Sequence, residues 1–131
     1  MTSKTYDLLI AEMPVNLERA VLRVLSFHVG KKNAIGRDQL VETVRMNWPD
    51  AHERQVRQGI HDLRRKGRLI CSMPGESGGY YFAANLDEFW EFIERELHPK
   101  AIDLLETEKI LKESARQQFG DASQPTLLSG G

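Results

Sequence analysis

The sequence has a single cysteine, Cys71, only five prolines, and no extended apolar run. One thiol cannot build a disulfide framework or supply the several thiolates of a structural metal cluster. No stretch reaches the roughly 20 apolar residues of a membrane-spanning helix. Residues 1–14 lack the basic-then-apolar layout of a secretory leader. The four histidines, His28, His52, His61 and His98, share no spacing that would gather metal ligands. A phosphate-cradling glycine loop, a nucleophile elbow and an H-E-x-x-H helix are all absent. The acidic pairs at Asp87-Glu88 and Glu94/Glu96 fall on a solvated helix face, unsuited to acid–base work. The expectation is a cytoplasmic protein that is not an enzyme, with no metal, no cofactor, no membrane partner and no evident small-molecule ligand.

What is present is a chain of 131 residues, 40% hydrophobic and 28% charged, enough for one compact core and an appendage. The net charge of −1 hides an asymmetry. Residues 1–84 carry 13 Lys+Arg against 9 Asp+Glu, a net of +4, while residues 85–131 carry 5 against 10, a net of −5. Six basic residues (Arg54, Arg57, Arg64, Arg65, Lys66, Arg68) crowd the stretch from His52 to Arg68, opposed only by Glu53 and Asp62. A local basic stripe can release phosphate counterions whatever the distal charge.

Periodicity divides the chain into an arm over residues 1–14, a folded domain over 15–84, a helix over 85–119 and a disordered tail over 120–131. Asn16 reads as the N-cap of a first helix whose apolar face is Leu17, Val21, Val24, Leu25 and His28, stopped by Gly30. Ala34-Ile35 allows only a vestigial strand. A second helix runs from about Gly36 to Met46 and buries Leu40, Val41 and Val44. It is broken at Asn47-Trp48-Pro49, with Trp48 expected to anchor the turn. Asp50 and Glu53 predict a capping box for a third helix ending at Gly67, with Val56, Ile60 and Leu63 buried. The period then shortens to two. Leu69–Met73 and Tyr80–Ala83 read as the strands of a hairpin around Pro74–Gly79, with Tyr80 and Tyr81 on opposite faces. Cys71 reads as a small buried hydrophobe.

The order helix, short strand, helix, turn, helix, glycine-tipped hairpin is that of a winged helix-turn-helix, a mainly α fold with a small β-hairpin. The segment from His52 to Gly67 resembles the recognition helices of bacterial and phage winged-helix regulators. These follow S-x-R-x-V-R-x-x-I-x-x-L-R-x-x-G-x-x-I and a wing ending in G-G-Y. Arg54, Val56, Arg57, Ile60, Leu63, Arg64, Gly67, Ile70, Gly79 and Tyr80 match as they stand. Prophage-encoded regulators and the biotin-operon repressor's N-terminal domain look similar over roughly Leu17 to Ala84. The resemblance implies sequence-selective binding of double-stranded DNA, in transcription regulation or as a phage accessory factor. Two departures stand out. The wing tip offers Glu76 and no base, leaving Arg68 at its root, with Ser72 and Ser77, to reach a phosphate. His52 replaces the usual serine.

Stepping about 100° per residue from Val56 puts Arg54, Gln58, His61 and Arg65 opposite the buried stripe, flanked by Gln55 and Arg57. Arginine and glutamine can make bidentate contacts to guanine and adenine, and the N-terminal half of such a helix approaches the bases. Arg54, Gln55 and Gln58 are therefore expected to read bases, and Arg57, His61 and Arg65 to meet phosphates.

Asn85 and Glu88 open the C-terminal helix. Trp90, Leu97, Leu104 and Leu111 recur every seven residues, with Ile93 thickening the seam. More apolar surface is offered than a domain this small can cover, so a homodimer through this helix is expected. Pro99 removes a backbone donor and crowds the carbonyl of Arg95, predicting a kink or break near His98. One alternative for the whole chain remains: winged helices also serve as protein-interaction adaptors with no DNA role, which the uncharged wing and acidic C-terminal half would suit.

Overall fold

In the computed structural model, residues 16–76 and 78–120 are described. The expected N-terminal arm, Ser77 of the wing and residues 121–131 of the expected tail lie outside them. The chain divides into two compact units between Glu96 and Leu97, so the first unit runs past Ala84 and includes the start of the C-terminal helix.

The first unit begins with α1 (Leu17–Leu25), capped as expected by Asn16, whose Oδ1 accepts from the Arg19 N–H at 2.9 Å. The helix ends at Leu25 rather than near Gly30. His28 and Val29 are drawn instead toward the hairpin: the His28 carbonyl accepts from the Phe82 N–H at 2.9 Å, and Val29 bridges Phe82. His28 therefore lies off the helix, with its Nδ1 at 2.7 Å from the Asn33 carbonyl. A 3₁₀ turn (Lys31–Asn33) leads to Ile35, which exchanges two backbone hydrogen bonds of 2.9 Å with Tyr80. That pair is the vestigial strand.

Helix α2 (Arg37–Arg45) buries Leu40, Val41 and Val44, and α3 (Glu53–Arg65) buries Val56, Gly59, Ile60 and Leu63. In the turn between them Arg45 donates from Nε to the Ala51 carbonyl at 2.7 Å. Trp48 contributes its backbone to this turn, but its side chain stays exposed. The cap of α3 differs from expectation. His52 is the N-cap residue, and Gln55 rather than Glu53 reaches back, its Oε1 accepting from the His52 N–H at 3.2 Å. Asp50 lies too early in the chain to cap.

Strands β1 (Ile70–Met73) and β2 (Gly79–Phe82) pair antiparallel, with Ile70 opposite Phe82 and Cys71 opposite Tyr81. Alternation gives the hairpin two buried faces. Ile70 and Phe82 join the core formed by α1, α2 and α3. Cys71, Tyr81 and Ala83 face the other way and are covered by Phe92, with Phe89 and Ile93 packed against them. These last three come from α4 (Leu86–Phe92) and the residue after it. Gly79 is demanded by close approach, since a Cβ there would run into the Ile35 carbonyl. This is the physical content of the G-G-Y return.

A π-helical segment (Ile93–Leu97) comes after α4, and α5 (His98–Phe119) belongs to the second unit. The backbone thus stays helical, with a π-helical irregularity, where a kink or break was expected. Pro99 falls in the first turn of α5, directly after the π-helical segment, the kind of irregularity that goes with the donor a proline removes. No residue of α5 is buried. Among the described residues, no helix is long and apolar enough to cross a membrane.

Candidate nucleic-acid interface

The geometry of α3 is set by which side meets α1. Gly59 lies where the helices approach closely, its ideal Cβ position 3.5 Å from Val21 Cγ2. With Val56, Ile60 and Leu63 on this inner side, the opposite side faces solvent. Arg54, Gln55, Arg57, Gln58, His61 and Arg65 are all exposed, and Arg68 is half-buried. The structure thus brings six of the seven expected DNA-facing side chains onto the outer surface of one helix.

They are not equally free. Gln55 is occupied by the helix cap, which weakens its claim to read a base. Gln58 donates from Nε2 to Asp62 Oδ1 at 2.9 Å, and Arg57 lies 3.7 Å from Glu53. Both are exposed contacts one helical turn apart, worth about 0.3–0.5 kcal/mol, so a phosphate or base edge could displace them. Lys66 is held more firmly, at 2.8 Å from the half-buried Glu18 of α1. Arg68 has its Nε buried with no partner among the described residues. Arg54 and Arg65 form no ion pair among the described residues.

Arg64 has a different task. Its Nε donates to the Ile70 carbonyl at 2.8 Å and one Nη approaches Ser72 Oγ at 3.4 Å. Its guanidinium also lies over the Phe92 ring at 5.2 Å. One side chain therefore ties α3 to β1 and to α4. Burial pulls its pKa below the usual arginine value, yet arginine stays charged at any ordinary pH. Sequence reasoning did not find this role, because Phe92, the aromatic partner, lies 28 residues further on.

A second arginine shapes the wing. Arg37, at the start of α2, donates to the Met73 carbonyl at 2.8 Å and to the Gly75 carbonyl at 3.4 Å, and its guanidinium lies 5.7 Å from the centre of the Tyr80 ring. Tyr80 is half-buried, while Tyr81 is fully buried. Glu76 at the tip is exposed, and Ser72 is engaged by Arg64.

Cys71 is fully buried, and burial pushes its thiol up to about 11, against 9.0 for a free thiol. This suits packing and not nucleophilic chemistry. Among the described residues no cluster of His, Cys, Asp or Glu could hold a metal ion.

The expected association residues divide between the two units. Ile93 packs with Phe89 against the cluster of Cys71, Tyr81, Ala83 and Phe92, so part of its apolar surface is used within the first unit. Trp90 is exposed, as are Leu97, Leu104 and Leu111. The seven-residue spacing of Trp90 and Leu97 presumes a continuous α-helix. A π turn holds one residue more than an α turn and rotates the residues beyond it by about 100°. No protein-family model, curated protein or solved structure matches this chain.

Proposed function

We propose that the first unit binds double-stranded DNA sequence-selectively through α3, as a transcriptional regulator or phage-type accessory factor in the cytoplasm. The observation that carries this reading is the outer face of α3. Arg54, Arg65 and His61 stand exposed there, beside Gln58 and Arg57 in displaceable contacts, on a helix whose other side is fixed in the core. Arginine and glutamine so placed supply both phosphate neutralisation and bidentate base contacts. The test is duplex affinity, measured by fluorescence anisotropy from about 50 to 200 mM salt. About three phosphate contacts give a log–log slope near −3. No duplex binding at low salt would overturn the reading.

One observation favours an adaptor instead. The wing tip presents Glu76, and Met46 and Trp48 are exposed just before α3, apolar side chains open to a protein partner. On that reading duplex binding is absent, and substitution of Arg54 or Arg65 changes no DNA affinity.

A further inference from the structure

We propose that α5 pairs with α5 of a second copy in antiparallel orientation, about a two-fold axis near Ile110, so that Glu108 of each helix meets Lys112 of the other. This is independent of the DNA reading and replaces the seven-residue seam expected from the sequence with a different contact stripe.

A helix of 22 residues with none buried lacks the tertiary packing that normally sustains helices. Ala101, Leu105, Glu108, Lys112, Ala115 and Phe119 recur at alternating intervals of four and three. At about 100° per residue all six fall within about 40° of one line along the helix, the a/d spacing of a two-helix contact, with charges rather than apolar residues at its centre. Leu104 and Leu111, 69% and 63% exposed, widen this stripe along one edge.

The two charges in the stripe decide the orientation. Parallel, in-register helices would set Glu108 against Glu108 and Lys112 against Lys112, and would stack Ala101 on Ala101 and Phe119 on Phe119. Antiparallel helices centred on Ile110 set Glu108 against the partner's Lys112, twice. They also set Leu105 against the partner's Ala115 and Ala101 against the partner's Phe119. Every layer then holds one large and one small side chain, or one acid and one base. Within a single helix Glu108 and Lys112 already lie 3.0 Å apart, so pairing closes a four-charge ring. Glu106 and Glu113 lie about 120–140° from that line and face away from the partner.

Sedimentation of the full chain at about 5–50 μM tests the pairing. The wild type is expected to be a dimer. Glu108→Lys and Lys112→Glu should each weaken association at least about tenfold, and an equimolar mixture of the two variants should restore it. Orientation is read from a spin label on Lys100→Cys, since the native Cys71 is buried and spared. Antiparallel pairing places the two labels about 30 Å apart or more, parallel pairing under about 20 Å. A monomeric wild type, single variants that associate like the wild type, or the shorter separation would each overturn the proposal.

Discussion

Two adjacent arginines should behave in opposite ways. Arg64 donates to the Ile70 carbonyl at 2.8 Å and covers the Phe92 ring, whereas Arg65 is exposed. A hydrogen bond from a charged donor contributes about 1.5–3 kcal/mol, and a partly desolvated cation–π contact about 0.5–2 kcal/mol. Burying the guanidinium costs part of that gain. Arg64→Ala should therefore destabilise the first unit by about 2–4 kcal/mol. A domain of this size loses about 4–8 °C in Tm per kcal/mol, so a fall of roughly 10–25 °C is expected. Arg64→Lys, which keeps the charge but loses the fork, should cost about half as much. Arg65→Ala should stay within about 0.5 kcal/mol of wild type yet weaken duplex binding. Urea unfolding followed by near-ultraviolet circular dichroism, which senses the packed tyrosines and Phe92, provides the assay. An Arg64→Ala protein as stable as wild type, or an equal loss from Arg65→Ala, would refute this division of roles.

Base reading is separable from phosphate contact. Arg54→Ala or Gln58→Ala should cost about 1–3 kcal/mol on the preferred duplex and little on random DNA, while Arg65→Ala weakens both alike; competition binding checks it. Two glycines should respond with opposite signs. Gly59→Ala meets only ordinary contacts at 3.5 Å, so helix propensity should stabilise by up to about 1 kcal/mol. Gly79→Ala collides with the Ile35 carbonyl and disturbs two backbone hydrogen bonds, so a loss of about 2–4 kcal/mol is expected; urea midpoints measure both. Cys71 has a folded pKa of about 11 against 9.0. Burial there favours the neutral thiol, so its contribution is complete below about pH 9 and is lost as pH rises through about 11. Tyr81, whose pKa burial also raises, pushes the same way. Stability measured from about pH 7 to 11 should fall less steeply in Cys71→Ala.

Where sequence and structure agree, the reason is local. Asn16, Gly67, the apolar stripes of α2 and α3, and the two-residue alternation of the hairpin are set by neighbours a few positions apart. Gly67, for instance, adopts a φ of +87° just past α3, the left-handed stop that glycine supplies at least cost. The differences arise where distant residues intervene. The helical pattern through His28 loses to pairing with Phe82, 54 residues away. The alternation put Tyr80 and Tyr81 on opposite faces, but nothing nearby in sequence named Phe92 as the cover of Cys71 and Tyr81. A hydrophobic residue every seven positions suggested one seam through Ile93, yet Phe89, Phe92 and Ile93 were needed by the hairpin first. The outward face of α3 was legible from angular position alone. The contacts of Gln55, Gln58 and Arg57 with their own helix were not, because they depend on side-chain reach.

That last distinction changes what the basic segment can do. Six cations between His52 and Arg68, each neutralising a phosphate, would give a log–log salt slope near −5. The structure withdraws three of them: Arg64 into the hairpin, Lys66 onto Glu18, and Arg68 with its Nε buried. Arg54, Arg65 and the displaceable Arg57 remain, which is why a slope near −3 is the expectation for one copy. Three phosphate contacts make for modest affinity, and joining two copies through α5 would raise it by effective concentration without any new contact per chain. The slope and the oligomeric state are therefore linked. A dimer engaging both copies should approach twice the single-copy slope, and a variant made monomeric at Glu108 should fall back to about −3. A slope near −5 from such a monomer would mean that Lys66 leaves Glu18 and Arg68 swings outward on binding.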